Sequence, residues 1–181
     1  MALVDRELPT RKPKRLPEHD YRKSGTYFLT IITQERVEAL GKVVNGKVEL
    51  SSIGKAAANC VAKIEEIYPS AVVVDSVVMP NHVHILLQLL DDTLNPSVPR
   101  IVSQWKAAVS KQAKYSLWQS DFDDRLIMTN ERYRIAAAYI KSNPSRWKND
   151  RYNPQNENIL EPPLACRCKK MHTLHNPQCI R

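Results

Sequence analysis

Apolar and polar residues alternate along parts of the chain with the two-residue period of β-strands. Residues 26–33 are rich in β-branched and aromatic side chains and predict the first strand. Two further strands are predicted at 71–78 and 82–90, and we expect them to pair antiparallel because only a short turn joins them. Between these regions, Asn45-Gly46 predicts a β-hairpin, since both residues tolerate the positive φ angles of a tight turn.

Other segments have the period of an α-helix. From an N-cap at Ser51 or Ser52, apolar residues recur every three or four positions and end before Pro69. A second helix is predicted by an apolar stripe that consists of Val98, Ile101, Val102, Trp105, Ala108 and Val109. After one more short strand, an alanine-rich helix is expected to begin with Asn130 as N-cap and to stop at Pro144. The order of strands and helices predicts an α+β fold in which helices cover a sheet.

The composition fits a globular protein with an anionic partner. The 181 residues are 43% hydrophobic and 25% charged, which fits one domain with short extensions. The net charge is +8 and the isoelectric point is near 9.4, so nucleic acid is the expected partner. No apolar run approaches the ~20 residues of a membrane helix, so we expect a cytoplasmic protein. The four glycines are scattered and form no phosphate-binding loop, which argues against nucleotide hydrolysis.

Two histidines stand two residues apart in the apolar run at 82–90. Alternate side chains of a strand point to the same face, so His82 and His84 project side by side while Val83 and Ile85 pack behind them. Two imidazoles held in this way can bind a divalent cation and leave positions open for a phosphate oxygen. The alternative is a pair of polar residues on a solvated sheet face, and in either case we expect the imidazoles to be partly exposed.

The alanine-rich helix carries a second candidate pair. Tyr139 and Asn143 are four residues apart and lie on one helix face, which offers a hydroxyl nucleophile beside an amide oxygen. Proline disfavours helical geometry at the preceding residue, so we expect Asn143 at a fraying helix end, free to reach a metal. The alternative for Tyr139 is an amphipathic residue at a boundary between helix and sheet.

These motifs occur in an order that is typical of one protein family. Met79-Pro80-Asn81-His82-Val83-His84 is followed by Trp118-Gln119 and then by Tyr139-Ile140-x-x-Asn143-Pro144. Together they resemble the single-tyrosine HUH transposases, where U is a hydrophobic residue, and most closely the REP-associated tyrosine transposases. The resemblance implies an antiparallel, ferredoxin-like sheet covered by helices. It divides the chain into a basic arm at 1–15, a transposase domain at 16–154 and a tail at 155–181.

The resemblance also implies a function. In the family, two histidines and a polar residue one turn after the tyrosine hold Mg²⁺ or Mn²⁺, and by motif these ligands are His82, His84 and Asn143. Tyr139 is then the nucleophile that attacks a phosphodiester of single-stranded DNA, leaving a 5′-phosphotyrosine and a free 3′ hydroxyl. The implied enzyme cuts and rejoins DNA during transposition. Its expected partner is single-stranded DNA with a hairpin beside the cut, and the protein is expected to be a monomer or a homodimer.

Several basic residues are candidates for DNA contacts. Many relatives have a histidine in the short strand before the tyrosine helix, where this chain has Arg125, which cannot accept a proton or bind a cation. A phosphate contact is one substitute for that histidine. Trp147 is a candidate for base stacking, and its alternative is a place at the edge of the core. The further candidates for phosphate contacts are Arg11, Lys12, Lys14, Arg15, Arg146, Lys148 and Arg151.

The tail contains a second group of metal-binding residue types. Its five candidate ligands for a structural zinc ion are Cys166, Cys168, His172, His175 and Cys179. The Cys-x-Cys spacing is tighter than in usual zinc sites and one ligand is left over, so a cysteine-bearing tail without metal is the default interpretation. Disulfides are not expected, because Cys60 is on the core face of a predicted helix.

Three other functions compete with a transposase. The first is a non-catalytic nucleic-acid-binding module on a ferredoxin-like sheet, which should expose aromatic residues on its strands. The second is a replication initiator or relaxase with the same chemistry, which would be supported by a helicase or a longer histidine motif. The third is a metal hydrolase whose first ligands are the two histidines, which would need a barrel of about 250 residues.

Overall fold

The computed structural model describes residues 19–91 and 96–156. Within them, four strands form an antiparallel sheet and two form a separate hairpin. The strands are β1 (Gly25–Ile32), β2 (Gly41–Val44), β3 (Lys47–Leu50), β4 (Ala71–Val78), β5 (His82–Leu89) and β6 (Asp123–Ile127). The helices are α1 (Ser52–Ala62), α2 (Ile64–Ile67), α3 (Val98–Ala113) and α4 (Asn130–Ser142), and 3₁₀ turns lie at Gln34–Arg36 and Pro144–Asn149.

The main sheet has the strand order β4-β5-β1-β6, and each pair of adjacent strands is antiparallel. Without the hairpin, the elements up to β6 follow the order strand, helix, strand, strand, helix, strand, which is the ferredoxin-like arrangement. The expected α+β, ferredoxin-like fold is therefore confirmed. The expected antiparallel pairing of the histidine strand β5 with β4 is also observed.

The two faces of the sheet bury different residues. On one face, Leu29 and Ile31 of β1 and Val83 and Ile85 of β5 belong to the large core that the helices α1 and α3 cover. On the other face, Phe28 and Leu86 pack against α4 in a smaller cluster with Ala136 and Ile140. Because side chains alternate along a strand, His82 and His84 lie on the same face of the sheet as Leu86, opposite the large core.

The hairpin and the first helix form as their local signals predict. Asn45 and Gly46 have φ angles of 51° and 72°, as a tight two-residue turn requires. Ser51 is the N-cap of α1, because its Oγ accepts a hydrogen bond from Gly54 N at 3.0 Å. The helix expected to run to Pro69 is interrupted at Lys63, which separates α1 from the single turn α2.

One predicted end of the tyrosine helix α4 was wrong, and the other is confirmed. Thr129 and not Asn130 is the N-cap, because extended Thr129 accepts a hydrogen bond from Arg132 N through its Oγ1 at 3.2 Å. At the other end, α4 stops before Pro144 as predicted, with Asn143 as its C-cap. Asn143 keeps helical angles of −57° and −46°, and the chain continues into the 3₁₀ turn. Pro144 is tolerated there since it stands at the first position of the turn, where its missing N–H has no helical partner to lose.

Among the described residues, no helix combines the length and the apolar character that a membrane-spanning helix needs. The helices instead have one buried face, as in α3, whose buried residues are Val98, Ile101, Val102, Trp105 and Val109. Ala108, which the apolar stripe had included, is exposed.

Candidate active site

The two histidines project side by side from β5 with their ring centroids 4.6 Å apart. The expectation that they are partly exposed was wrong, because His82 and His84 are 0% and 1% exposed. Aromatic rings from other elements cover them. The Tyr152 ring lies 4.6 Å from His82, and the Tyr139 ring of α4 lies 5.3 Å from His84.

Hydrogen bonds determine which nitrogen of His82 carries its proton. The Nδ2 of Asn81 donates to the carbonyl oxygens of Arg36 at 3.0 Å and Tyr152 at 2.7 Å, so its Oδ1 is the acceptor for His82 Nδ1 at 2.9 Å. Nδ1 of His82 must therefore be protonated. Burial lowers the pKa of His82 well below its usual value, so the ring is neutral and Nε2 carries a free lone pair.

His84 is held by its neighbour on β1. Thr30 Oγ1 lies 3.0 Å from His84 Nδ1, and the two residues are directly opposite in the pairing of β1 with β5. Burial lowers the pKa of His84 to about 3, although a hydrogen bond with the backbone of Leu29 opposes the shift. Both imidazoles are therefore neutral at pH 7, which is the form that binds metal ions.

Three buried polar atoms at this site have no hydrogen-bond partner among the described residues. They are His82 Nε2, His84 Nε2 and Asn143 Oδ1. These atoms belong to the three residues that the sequence motifs predict as metal ligands. Buried polar atoms are normally paired, so three unpartnered acceptors of this kind fit the binding of a cation. Neutral imidazole and amide oxygen can both bind a divalent cation, and Mn²⁺ accepts a mixed set.

In the part of the chain that the structure describes, the two histidines are not joined by a further histidine, cysteine or carboxylate. Within residues 19–91 and 96–156, no three His, Cys, Asp or Glu side chains lie close enough together to hold a metal ion. The third candidate donor is the amide of Asn143, which lies one helical turn after Tyr139 and is 1% exposed. The sequence spacing predicted the position of Asn143 relative to Tyr139, but it did not predict that Asn143 is buried.

Tyr139 lies between the histidines and the segment that follows α4. Its half-buried ring is 5.3 Å from that of His84 and 6.0 Å from that of Phe28. Burial and the nearby Asp150 carboxylate raise the pKa of Tyr139 to about 12. A hydrogen bond with Asn143 and the charge of Arg151 act in the opposite direction. The hydroxyl is therefore protonated at pH 7 in the absence of a bound cation.

Asp150 is a site residue that sequence reasoning missed. Its carboxyl group is buried, which raises its pKa, while hydrogen bonds with Asn143 and Tyr139 act against that shift. Asp150 Oδ1 also accepts a hydrogen bond from Tyr152 N at 2.7 Å. No spacing rule connects Asp150 with the histidines. The available signal was its position shortly after the tyrosine helix, in a segment rich in polar residues.

Arg151 and Tyr152 complete the cover over the site. The guanidinium carbon of Arg151 lies 4.5 Å from the centre of the Tyr152 ring. Its Nη2 is 3.6 Å from Asp123 Oδ2, so it also contacts the short strand β6. Arg151 was among the predicted phosphate contacts, whereas Tyr152 and Asp123 were not recognised from the sequence.

The other predicted DNA-contacting residues lie at several places. Arg125 on β6 lines the same pocket as Tyr139 and Arg151. In the 3₁₀ turn, Arg146 and Lys148 are exposed, whereas Trp147 is half-buried with its ring 6.1 Å from that of His82. The basic residues Arg11, Lys12, Lys14 and Arg15 lie outside the described residues, as do the tail residues Cys166, Cys168, His172, His175 and Cys179.

Comparisons with known proteins relate this chain to others through its fold. No family model matches the sequence. An uncharacterised protein of Haemophilus influenzae is 24% identical over 164 residues, covering 77% of this chain and 91% of that protein. A solved REP-associated tyrosine transposase bound to a REP hairpin superimposes with a TM-score of 0.58 and 21% identity, covering 74% of each chain. The chain therefore has the fold of a REP-associated tyrosine transposase.

Proposed function

We propose that this chain is a metal-dependent single-stranded DNA endonuclease and strand transferase, a transposase that acts through a 5′-phosphotyrosine intermediate. The observation that carries the proposal is the set of unpartnered buried atoms His82 Nε2, His84 Nε2 and Asn143 Oδ1 beside the hydroxyl-bearing ring of Tyr139. Leaving such atoms unpaired destabilises a fold, so they indicate a ligand. The fold shared with a REP-associated tyrosine transposase supports the same function.

His82, His84 and Asn143 would hold Mg²⁺ or Mn²⁺. The cation would neutralise charge on the phosphodiester and on the oxygens that become more negative during the reaction. The protein supports such a ligand set through its own contacts. Asn81 and Thr30 occupy the Nδ1 atoms of the two histidines, which leaves each Nε2 as the coordinating atom.

The chemical step exchanges one bond to phosphorus for another. The phenolic oxygen of Tyr139 attacks the phosphorus, and the bond from phosphorus to the 3′ oxygen breaks. Asp150 accepts the phenolic proton, because its buried carboxylate lies within hydrogen-bonding reach of the Tyr139 hydroxyl. The departing 3′ oxygen takes a proton from water. Since the number of ester bonds is conserved, the reverse reaction rejoins a strand.

The proposed substrate is single-stranded DNA that folds back into a hairpin near the cut. The solved protein with the same fold is bound to a REP hairpin, which supports this choice. The basic net charge supports an anionic partner. Arg125 and Arg151 line the pocket beside Tyr139, where the backbone of the strand to be cut would lie.

The non-catalytic alternative is less well supported. A ferredoxin-like sheet that binds nucleic acid by stacking needs accessible aromatic residues on its open face. In this chain, α4 covers that face, and Phe28 is 5% exposed beneath it. The face is therefore unsuited to base stacking.

Covalent capture of DNA tests the proposal. The protein would be incubated with labelled single strands from the DNA that flanks its own gene, with Mn²⁺, and analysed on a denaturing gel. We expect a protein–DNA adduct from the wild type and none from Tyr139→Phe, which removes one oxygen and little surface. Tyr133→Phe is the matched control on the same helix and should still form the adduct. An adduct from Tyr139→Phe would show that the nucleophile is wrong.

The metal requirement is tested in the same assay. His82→Ala and His84→Ala should each remove the adduct, and an excess of EDTA should do the same to the wild type. Because both side chains are buried, these variants should also melt at lower temperature, so the assay must be run where each remains folded. Undiminished adduct formation in EDTA would reject the role of the cation.

A further inference from the structure

A pocket beside Tyr139 brings together charged side chains from distant parts of the chain. Asp123 and Arg125 come from β6, and Arg151 comes from the segment after the 3₁₀ turn. His84 lines the same pocket, so the charged groups surround the residues of the proposed chemistry. This pocket is therefore the place where a substrate group would contact Tyr139.

The guanidinium of Arg151 lies over the ring of Tyr152, and Tyr152 is itself held in place by Asn81. The guanidinium carbon of Arg151 lies 4.5 Å from the centre of the Tyr152 ring, and the backbone carbonyl of Tyr152 accepts a hydrogen bond from buried Asn81 at 2.7 Å. Its side chain is 27% exposed, so the guanidinium remains accessible from the pocket. Such an arrangement pre-orients a cation without burying it completely.

Arg151 brings positive charge to the residues of the proposed chemistry. Together with Arg125, it lines one pocket with His84 and Tyr139. A divalent cation at the histidines would add positive charge to a site that already contains two guanidinium groups. Cations brought this close repel one another unless an anion lies among them. A DNA phosphate would supply that negative charge.

Asp123 provides negative charge at the pocket in the free protein. Its Oδ2 lies 3.6 Å from Arg151 Nη2, which is longer than the ~2.7–2.9 Å of a strong charge-assisted hydrogen bond. Both side chains are partly exposed, so water weakens their attraction. A phosphate can bond a guanidinium through two oxygens and would therefore replace a single, long carboxylate contact.

The geometry points to Arg151 as a phosphate-binding residue for single-stranded DNA, with Asp123 as an internal anion that occupies Arg151 until a phosphate displaces it. The inference rests on the proposed function and adds a specific role for each residue. Asp123 thereby lowers the affinity for DNA for two reasons. DNA binding must break the contact between Asp123 and Arg151, and it must bring a negatively charged phosphate near the Asp123 carboxylate.

Equilibrium binding tests the inference without requiring cleavage. Every variant would be made in the full-length Tyr139→Phe protein, and binding of a fluorescein-labelled oligothymidylate would be measured by anisotropy in EDTA over a range of salt concentrations. We expect Arg151→Gln to weaken binding and to reduce the slope of log affinity against log salt by about 0.7, the value for one phosphate contact on a single strand. We expect Asp123→Asn to tighten binding several-fold.

The double variant Asp123→Asn/Arg151→Gln separates competition for Arg151 from simple repulsion. If Asp123 acts through Arg151, removing its charge should have a much smaller effect when Arg151 is already replaced. Arg100→Gln is the control, because Arg100 is an exposed arginine on α3, behind the opposite face of the sheet. Arg151→Lys keeps the charge but loses the two-pronged geometry and should bind with intermediate affinity.

The inference is overturned if Arg151→Gln changes affinity and salt slope no more than Arg100→Gln does, or if Asp123→Asn weakens binding. A melting curve for each variant identifies any that does not fold; Arg151→Lys and Asp123→Asn then provide the test. Failure here is distinct from failure of the proposed function. Binding is measured without metal or nucleophile, whereas the proposed function depends on adduct formation by the wild type.

Discussion

Asn81 connects the histidine strand to the segment after α4, because its Nδ2 donates a 2.7 Å hydrogen bond to the carbonyl oxygen of Tyr152, 71 residues away in the sequence. The same side chain accepts the proton of His82 Nδ1 through its Oδ1. Asn81 is completely buried, so water cannot replace these contacts. One amide group thus orients a proposed metal ligand and also holds the cover of the site in place.

Replacing Asn81 by alanine should weaken metal binding as well as stability. Loss of the contact to His82 should lower the affinity for Mn²⁺ by roughly 10–100-fold, as is usual when a residue that orients a ligand is removed. The carbonyl groups left without a donor should lower the free energy of unfolding by about 1–3 kcal/mol. Calorimetric Mn²⁺ titration and urea denaturation measure the two effects.

Asn153→Ala is the matched control for Asn81. Asn153 is also buried, and its Nδ2 donates to the carbonyl oxygen of Trp147 at 3.0 Å, but it makes no hydrogen bond to His82 or His84. This variant should lose stability and keep its Mn²⁺ affinity. If Asn81→Ala bound Mn²⁺ as tightly as Asn153→Ala, the orienting role of Asn81 would be rejected.

Asn143→Ala should raise the Mn²⁺ concentration needed for cleavage by about tenfold or more, because a neutral oxygen ligand is lost while the nucleophile remains. Excess Mn²⁺ should restore activity. Asn143 is also the C-cap of α4, so a melting curve for the same variant measures any loss of stability separately. A titration of adduct formation against Mn²⁺ measures the effect, with exposed Asn149→Ala as control. An unshifted requirement would remove Asn143 from the metal site.

Asp150→Asn should slow formation of the adduct by roughly 10²-fold or more while DNA binding persists, because the amide cannot accept the phenolic proton. The substitution conserves shape, and the amide oxygen can still accept the hydrogen bond from Tyr152 N. Single-turnover rates measured beside anisotropy with the same oligonucleotide separate the two effects. A wild-type rate in this variant would show that the proton leaves by another route.

The metal-free protein should become less stable as pH falls from about 6.5 towards 3. His84 keeps its pKa at about 3 in the folded state, against the ordinary value of 6.5, so only the unfolded chain takes up the proton in this range. Stability therefore rises with pH across this window, and burial of His82 acts in the same direction. Asp150 changes stability with pH in the opposite direction, because its pKa in the folded protein is raised above 3.8.

Comparison with His84→Gln isolates the contribution of one histidine to this pH dependence. The variant cannot gain a proton at this position, so its unfolding free energy should fall less steeply between pH 6.5 and pH 4 than that of the wild type. Urea denaturation in EDTA at several pH values provides the measurement. Equal slopes for the two proteins would mean that His84 titrates normally in the folded state.

Local sequence signals predicted most of the elements. The alternation around β5 placed His82 and His84 on one face, because the side-chain period of a strand depends on the backbone alone. Asn45-Gly46 predicted a hairpin for a similar reason, since positive φ angles are a property of the turn residues themselves. An error occurred at an element end, where neighbouring residues compete as caps: Thr129 and not Asn130 is the N-cap of α4.

The sequence by itself determined the order of strands and helices, the shared face of His82 and His84, and the spacing of Tyr139 and Asn143, because these follow from the periods of the separate elements. The ferredoxin-like sheet was expected only from the family resemblance. The tertiary structure alone decided that both imidazoles are buried under Tyr152, and that Asp150 and Arg151 lie beside Tyr139. Contacts of this kind, such as the ion pair of Asp123 with Arg151, join segments that are far apart in the chain. They depend on how α4 and the following segment pack on the sheet, and the periodicity of a single element does not predict that packing.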